Sequence, residues 1–289
     1  MTEPLLPRID STHEAATESG ALQPIRTERD VMHDGGIDFT IRWVSSLARK
    51  DSDRLSAALR RDPDFDPFLP PDPELTVGPL GDDHLAVLNK FPVIARHLLI
   101  VTRDFVSQTV PLDVADFSAL AQIMTELGGL GFYNGGTEAG ASQRHKHLQW
   151  IPEAARGAQL SVFIDGLPDD LPAGSTTVRE DLPWRHCFVR LPADADGDAA
   201  KLGGVLHEAF LRACEALELR CDRDPMRPYN LLTGSGWLVV IPRSREHCEN
   251  ISVNALGFAG ALFVPRPELI ETVRTIGPLR LLTGVGFPR

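Results

Sequence analysis

The segment RHKHLQWI, residues 144–151, holds the side chains best suited to chemistry in this chain. Its alternation of polar and apolar residues predicts a β-strand, in which successive side chains point to opposite faces. His145, His147 and Gln149 would therefore share one face. Because a buried polar side chain needs a hydrogen-bond partner, a face with three of them is a poor core surface. The pattern favours a site that grips a polar ligand.

Two chemistries suit such a face. Neutral imidazoles two residues apart can share a metal ion, although no third ligand is evident at short range. A neutral histidine nitrogen can instead attack a phosphoryl group when an acceptor holds its other ring nitrogen. The amide of Gln149 would then stabilise charge on the phosphoryl oxygens.

The loop GGTEAGAS, residues 135–142, precedes the histidines and favours phosphorus chemistry. Glycine-rich turns present backbone N–H groups that cradle phosphates. Gly135, Gly136, Gly140 and Ser142 are placed to do so. The loop matches neither the dinucleotide-binding nor the P-loop pattern, so it carries weight only beside the histidines.

Lysine is scarce in this chain. Only four of the 29 basic residues are lysine: Lys50, Lys90, Lys146 and Lys201. Lysine carries a compact, strongly hydrated charge, so an arginine-rich chain can reserve it for particular places. We expect Lys90 and Lys146 to line a cationic site with Arg96, Arg103 and Arg144; solvated surface charge is the alternative for each.

Most other candidates have a structural default. A lone histidine is more often structural than catalytic. This default applies to His13, His33, His84, His186, His207 and His247. Trp150 and Trp237 could stack on a base, but core packing is the favoured role.

The composition excludes several classes of protein. Apolar residues make up 43% and charged residues 24% of the 289 residues, unlike disordered, collagen-like or coiled-coil chains. The net charge of −11 argues against a broad nucleic-acid surface, although a small phosphate-rich ligand needs only local positive charge. No apolar run approaches the roughly 18 residues that a membrane helix needs.

The cysteines and the N-terminus indicate the compartment. Four widely spaced cysteines without a C-x-x-C pair argue against a disulfide framework and a cysteine zinc site, so we expect a cytoplasmic protein. The N-terminus lacks the basic start and apolar stretch of a secretory signal. We expect a mobile tail over residues 1–30.

The residue patterns predict an α+β protein. Helical spacing of apolar residues predicts helices over 112–129 and 199–219. Runs rich in β-branched and aromatic residues predict strands. They cover residues 85–89, 97–102, 130–134, 144–151, 184–191, 229–233 and 237–242, the last two as a hairpin.

The Pro- and Asp-rich stretch 165–183 is the best candidate for a linker. It separates a first half, residues 31–164, from a second half, residues 184–289. NKFPVIARHLLIVTRDF and YNLLTGSGWLVVIPRSREH share a rhythm of Asn, turn and apolar strand. This indicates that the second half is a degenerate repeat of the first, with the histidine motif in one copy only.

GASQRHKHLQ resembles the H-x-H-x-Q signature of the nucleotidyl-transferring branch of the histidine-triad superfamily. Four segments, in order along the chain, are similar to the ATP adenylyltransferases, also called diadenosine tetraphosphate (Ap4A) phosphorylases. They are DFDPFLPPDPEL, LNKFPVIARHLLIVTRDFVSQ, FYNGGTEAGASQRHKHLQ and YNLLTGSGWLVVIPRS. The resemblance spans residues 35–289 and implies a histidine-triad-like fold, an antiparallel sheet with flanking helices.

Galactose-1-phosphate uridylyltransferases share the H-x-H-x-Q core. They usually carry prolines between the histidines and often cysteine metal ligands. This chain has Lys146 and Leu148 in those gaps and no cysteine pair, which favours the adenylyl branch.

The resemblance implies that His147 is the nucleophile. It would attack the α-phosphorus of Ap4A, expel ATP and form an adenylyl-imidazole, from which inorganic phosphate takes the adenylyl group to give ADP; the reverse direction joins ATP and ADP. His145 would orient or polarise the site, and Gln149 would bind the α-phosphate oxygens. The implied substrate contacts are Lys50, Asn89, Lys90, Asn134, Gly140, Ala141, Ser142, Gln143, Asn230 and Arg243.

The resemblance also implies a divalent cation such as Mg²⁺, held mainly by the substrate's phosphates, with no protein metal site and no organic cofactor. The expected partners are Ap4A, ATP, ADP and inorganic phosphate, not nucleic acid or membrane, for a monomer or small homo-oligomer. Three alternatives stay open: a nucleotide hydrolase, a hexose-1-phosphate uridylyltransferase, and a nucleotide-binding regulator without chemistry.

Overall fold

The computed structural model describes residues 3–44, 65–153, 158–168, 170–193 and 197–289. The strands are Thr27–Asp34 (β1), Ile37–Val44 (β2), Thr76–Leu80 (β3), His84–Leu88 (β4), Leu98–Thr102 (β5), Leu130–Gly135 (β6), His147–Ile151 (β7), Thr176–Thr177 (β8), Cys187–Arg190 (β9), Tyr229–Gly234 (β10), Trp237–Pro242 (β11), His247–Cys248 (β12), Ile251–Ser252 (β13) and Ala261–Val264 (β14). Nine of them form one antiparallel sheet in the order β3-β4-β5-β7-β6-β10-β11-β9-β8. The predicted hairpin of β10 and β11 is confirmed.

The helices are Leu5–Ser19 (α1), Val114–Leu127 (α2), Ser161–Ile164 (α3), Ala199–Leu217 (α4), Leu269–Ile276 (α5) and Pro278–Val285 (α6). The two predicted helices correspond to α2 and α4, which pack side by side. Gly203 allows the close approach, because a Cβ there would lie 2.8 Å from Ser118 Cα. Within the described ranges, no helix has the length and apolar character to cross a membrane.

The large sheet has a core on each face. Residues of α2 and α4, such as Phe117 and Phe210, pack on one face. A smaller sheet of β1, β2 and β14 covers part of the other face, where Phe39, Phe163 and Phe258 are buried. The predicted α+β class is confirmed.

The N-terminal segment corrects the expectation of a mobile tail over residues 1–30. Residues 5–19 form α1, which buries Leu5, Ile9 and Ala16. Arg8 Nη2 donates to the Val77 carbonyl at 3.0 Å. An apolar stripe on α1, hidden among polar residues, therefore docks this helix on the core.

The two halves share the large sheet, since β6 pairs with β10 across the middle. The predicted linker, residues 165–183, contains β8, which lies at one edge of this sheet. Both halves therefore belong to one continuous β-structure.

A β-α-β-β unit occurs twice along the chain. The first unit is β5, α2, β6 and β7, and the second is β9, α4, β10 and β11. The strands of the first unit lie in the order β5-β7-β6 in the sheet, and those of the second lie in the equivalent order β9-β11-β10. The two units adjoin where β6 pairs with β10. Each begins directly after an Arg-His pair, Arg96-His97 or Arg185-His186. The sequence rhythm matched residues 89–105 with residues 229–247, and this correspondence is wrong. The strand order instead matches β5 with β9, β6 with β10 and β7 with β11.

The strand register shows which residue of the second unit corresponds to His147. His147 pairs with the β5 residue four positions after His97, namely Val101. Trp237 pairs with the β9 residue four positions after His186. Trp237 is therefore the counterpart of His147, and it is buried, as its predicted core role requires.

Among the described residues, side chains fill the corresponding place in the second unit, next to Val239. Val239 pairs with Phe188 as Gln149 pairs with Leu99, so valine replaces the glutamine. Aromatic rings fill the surroundings and leave a void of about 10 Å³. The rings are those of Phe163, Trp184, Phe188 and Phe258.

Candidate active site

A cavity of about 1120 Å³ lies against β4, β5 and β7. Leu148 packs in the core with α2, so strand alternation turns His147 and Gln149 to the opposite face, toward the cavity. Most of the predicted site residues line it: Asn89, Lys90, Asn134, Gly140, Ser142, Gln143, His145, His147 and Gln149. The volume is that of a nucleotide-sized site. The structure brings these residues together, and their roles in binding stay predictions.

His147 has the geometry of a nitrogen nucleophile. Its Nδ1 donates to the carbonyl oxygen of His145 at 2.8 Å, which leaves Nε2 without a proton. Burial lowers the pKa of His147 to about 4, so the ring is neutral at physiological pH. This is the fixed tautomer that attack on phosphorus requires.

The backbone of His147 is held by a residue that the sequence analysis did not single out. Gln108 Oε1 accepts from the His147 N–H at 2.8 Å. Gln108 Nε2 donates to the carbonyls of Asn134 at 2.8 Å and His147 at 3.3 Å. The buried amide of Gln108 thus acts as an extra peptide group between the ends of β6 and β7. No local pattern marked it, since its partners are distant in sequence.

His145 lies just before β7, because the predicted strand over 144–151 begins only at His147. Its Nδ1 faces Asp66 Oδ2 at 2.8 Å and its Nε2 faces the Thr102 carbonyl at 2.8 Å. Nε2 also lies 2.9 Å from Thr102 Oγ1, so protein oxygens hold both nitrogens of the ring. The ring also packs between Phe68 and Phe105. His145 is therefore held on both sides and orients the chain just before β7.

Gln149 is oriented by His97, another residue missed in the sequence. Burial lowers the pKa of His97 to about 4, so one ring nitrogen donates and the other accepts. Nε2 bonds Gln149 Oε1 at 2.9 Å, and Nδ1 bonds Asn89 Nδ2 at 3.1 Å. The NH₂ of Gln149 is then left for a phosphoryl oxygen. The Arg-His pair before β5 was the available signal.

The glycine-rich loop closes against the C-terminal half. Gly140 has φ +88° and a Cβ there would lie 2.8 Å from the Val253 carbonyl, so only glycine fits. Asn134 Oδ1 accepts from Asn230 Nδ2 at 2.9 Å and from the Ala255 N–H at 2.8 Å. Because its oxygen is used, Asn134 has its amide hydrogens to offer to the cavity.

Three of the predicted substrate contacts do not line the cavity. Asn230 and Arg243 are buried behind the loop, 0% and 2% exposed, and neither lines the cavity. Ala141 is part of the loop but does not line the cavity either. Lys50 lies outside the described residues.

Lys146 is also corrected, because it does not belong to a cationic lining. Its Nζ donates to Asp116 Oδ2 at 2.5 Å and to the Pro111 carbonyl at 2.9 Å. Burial alone would raise the pKa of Asp116, but the hydrogen bond from His84 and the charge of Lys146 outweigh it and lower that pKa. Lys146 therefore anchors β7 to the start of α2.

The cationic lining is smaller than expected. Of the five predicted residues, Lys90 and Arg144 line the cavity. Lys90 also lies 3.4 Å from Asp72, and Arg96 pairs with Asp10 of α1 at 2.7 Å. In the part of the chain that the structure describes, no three His, Cys, Asp or Glu side chains cluster as metal ligands.

Comparison with known proteins extends over the whole chain. The family description "Ap4A phosphorylase N-terminal domain" matches residues 1–167, and "ATP adenylyltransferase C-terminal domain" matches residues 180–288. The chain is 28% identical to diadenosine 5',5'''-P1,P4-tetraphosphate phosphorylase 2 of Saccharomyces cerevisiae over 99% of this chain and 95% of that protein. It is 27% identical to Protein APA1 of the same yeast, over 97% and 93%.

The fold is similar as well. The crystal structure of yeast Ap4A phosphorylase Apa2 matches with a TM-score of 0.81 at 25% identity, covering 100% of this chain and 99% of that one. The same enzyme in complex with Ap4A matches with a TM-score of 0.76 at 25% identity, with coverage of 100% and 99%. Because the first domain description alone covers more than half of the residues, the chain belongs to the Ap4A phosphorylase family.

Proposed function

We propose that this protein splits Ap4A with inorganic phosphate into ATP and ADP, reversibly, through an adenylyl group carried on His147. The yeast relative is an Ap4A phosphorylase by name and has been crystallised with Ap4A. The observation that carries the proposal is the pinned ring of His147, whose Nδ1 donates to the His145 carbonyl at 2.8 Å.

In the first step, the Nε2 lone pair of His147 attacks the α-phosphorus. A P–N bond forms, the P–O bond to the leaving polyphosphate breaks, and ATP departs with that electron pair. The ring becomes cationic, and the His145 carbonyl that accepts from Nδ1–H stabilises this charge. The oriented NH₂ of Gln149 donates to a phosphoryl oxygen as negative charge grows there.

In the second step, an oxygen of inorganic phosphate attacks the same phosphorus. The new P–O bond yields ADP, and the P–N electrons return to Nε2, so His147 is neutral again. Two in-line displacements replace one reaction between two anions, which is the usual advantage of a covalent intermediate. Phosphate takes the space that the leaving ATP vacates.

A divalent cation such as Mg²⁺ would be held mainly by phosphate oxygens, since hard cations prefer oxygen ligands. The acidic residues lining the cavity are already engaged: Asp66 with His145 and Asp72 with Lys90. The cation would neutralise phosphate charge.

We further propose that the protein acts in the cytoplasm on Ap4A, ATP, ADP and phosphate as a monomer or small homo-oligomer. Free thiols at its four cysteines support that compartment.

The test is to incubate the protein with Ap4A, with and without phosphate, and to analyse products and protein mass. We expect ATP and ADP only with phosphate, and without it a protein heavier by one adenylyl group, acid-labile and lost in His147→Ala. Phosphate-independent release of AMP would indicate a hydrolase, and exchange of UDP-sugars a uridylyltransferase. Nucleotide binding without either product or adduct would indicate a regulator.

His186→Gln is a matched control. His186 is also buried, its Nδ1 also donates to the carbonyl two residues earlier, that of Trp184, at 2.7 Å, and burial also lowers its pKa to about 4. It lies outside the 1120 Å³ cavity. A folded His186→Gln should keep both the adduct and turnover; their loss in this variant would count against the assignment to His147.

A further inference from the structure

Arg243, in the C-terminal half, is a buried cation that faces neutral acceptors. Its side chain hydrogen-bonds six oxygens among the described residues, and none of them is a carboxylate. They belong to Ala139, Asn230, Arg245, Glu246, Val253 and Val285. Burial lowers its pKa to about 9, so it stays charged at neutral pH. The nearby carboxylate of Glu246 favours the charged form but is not among these hydrogen-bond acceptors, and a buried charge held by neutral oxygens calls for an explanation.

The hydrogen bonds of Arg243 connect the glycine-rich loop, residues 135–142, to the segment that packs against it. Nη1 donates to the carbonyl of Ala139 at 3.3 Å, inside the loop. Nη2 donates to the carbonyl of Val253 at 2.8 Å, the same oxygen that leaves no room for a side chain at Gly140. One guanidinium therefore holds the loop and the segment that presses on it.

A second path leads from Arg243 to the cavity through two asparagines. Arg243 Nη1 donates to Asn230 Oδ1 at 2.5 Å, and Asn230 Nδ2 donates to Asn134 Oδ1 at 2.9 Å. Asn134 lines the cavity. Because each amide accepts from the one behind it, each turns its NH₂ toward the cavity side. The donor that Asn134 offers is thus set by a residue of the other half.

The charge of Arg243 has a further consequence. Carbonyl dipoles solvate a guanidinium but do not cancel its net charge, and a buried charge acts over a longer range than a solvated one. Lys90 is partly neutralised by Asp72 at 3.4 Å, and Lys146 is fully engaged by Asp116. The loop at Gly140 and Ser142 lines the cavity directly in front of the Arg243 network.

We infer that Arg243 is a positioning residue of the glycine-rich loop, residues 135–142, and that its buried charge makes the cavity select polyphosphate ligands. The inference rests on the proposed function, because it requires nucleotides to bind in this cavity. The inference gives the second unit a role at the cavity of the first unit. In the second unit itself, Trp237 and aromatic rings occupy the corresponding place.

The test is the affinity for adenosine, AMP, ADP and ATP, measured by calorimetry on the full chain and on Arg243→Met, Arg243→Gln and Arg243→Lys. The matched control is Arg245→Gln, which removes the same charge from an exposed position two residues away. Melting curves identify which variants fold, and the comparison uses whichever charge-removing variant melts cooperatively.

We expect Met or Gln at position 243 to lower the affinity for ATP by about tenfold. The loss of affinity should become smaller from ATP to ADP to AMP, and adenosine should bind about as well as it does to the unmodified chain. Lysine at 243 should restore most of the gain per phosphate, and Arg245→Gln should match the unmodified chain. An equal loss for all four ligands, or no loss, would overturn the inference. If the unmodified chain binds none of these nucleotides, the proposed function fails instead.

Discussion

A hydrogen bond of 2.9 Å between His97 Nε2 and Gln149 Oε1 decides which end of the Gln149 amide faces the cavity. His97 lies before β5 and Gln149 in β7, and the pairing of these strands brings them together. Since the neutral ring donates from Nε2, the glutamine oxygen is consumed and its NH₂ is free. The arrangement converts an amide that could donate or accept into a committed donor.

The first prediction concerns His97. His97→Phe keeps a ring of similar size but removes the donor, so Gln149 loses its fixed orientation. We expect kcat for Ap4A phosphorolysis to fall about 10- to 100-fold, since a misplaced oxyanion donor costs up to about 1000-fold, with KM changed less than about threefold. Steady-state kinetics also test the coupling: adding Gln149→Ala to His97→Phe should cost little more. If the double variant lost kcat by the product of the two single-variant factors, His97 and Gln149 would act independently and this relationship would be contradicted.

The second prediction concerns Gln108. Gln108→Met preserves length but removes the acceptor of the His147 N–H and a donor to the carbonyls of His147 and Asn134, which should lower the free energy of unfolding by about 2–3 kcal/mol. We expect kcat to fall more than KM changes, because the nucleophile is displaced. Urea unfolding and kinetics measure the two effects. Gln143→Met, the same substitution at a half-buried glutamine that lines the cavity, is the control for stability alone; equal destabilisation there would discount the role of Gln108.

The third prediction is a loss of stability in acid. Burial is the first cause that lowers the pKa values of His97, His147 and His186 to about 4. Between pH 6.5 and about 4 the unfolded chain binds protons at these histidines while the folded chain does not. Their contribution is therefore fully present above pH 6.5 and is lost as the pH falls toward 4, by up to about 3 kcal/mol each.

Urea midpoints measured from pH 7.5 to 4.5 test this effect. His186→Gln should flatten the dependence, because one of the three groups no longer takes up a proton on unfolding. An unchanged slope in that variant would show that His186 is not a source. Activity should follow a different profile: protonation of His147 itself should not limit kcat/KM until the pH approaches 4.

The fourth prediction contrasts two of the four lysines. Lys146→Met leaves Asp116 buried with fewer partners, and breaking a buried pair costs about 3–5 kcal/mol; in the folded fraction, KM for Ap4A should change less than about twofold. Lys90→Met should change stability little, because an exposed ion pair contributes at most about 1 kcal/mol. It should raise KM for Ap4A, because the charge of Lys90 lines the cavity. Thermal melting and KM measured on both variants decide, and a raised KM in Lys146→Met would restore it to the cationic lining.

Local patterns were enough to locate most of the elements and to bring the candidate residues of the histidine motif to one face. The alternation in RHKHLQWI placed His145, His147 and Gln149 on one face, and they line one cavity. Helical spacing located all four ends of α2 and α4 to within two residues. Such signals depend on neighbours a few positions apart, so a single sequence carries them.

The chain by itself thus determined the α+β class, the strand that bears the histidines and the residue types for phosphoryl transfer. Only the tertiary structure decided that Lys146, Asn230 and Arg243 do not line the cavity, and that His97 and Gln108 hold Gln149 and His147. Each of those outcomes depends on partners far along the chain, as with the 39 positions between Gln108 and His147. Which side chain is buried, and which acceptor takes its proton, is settled when distant segments pack and water is excluded.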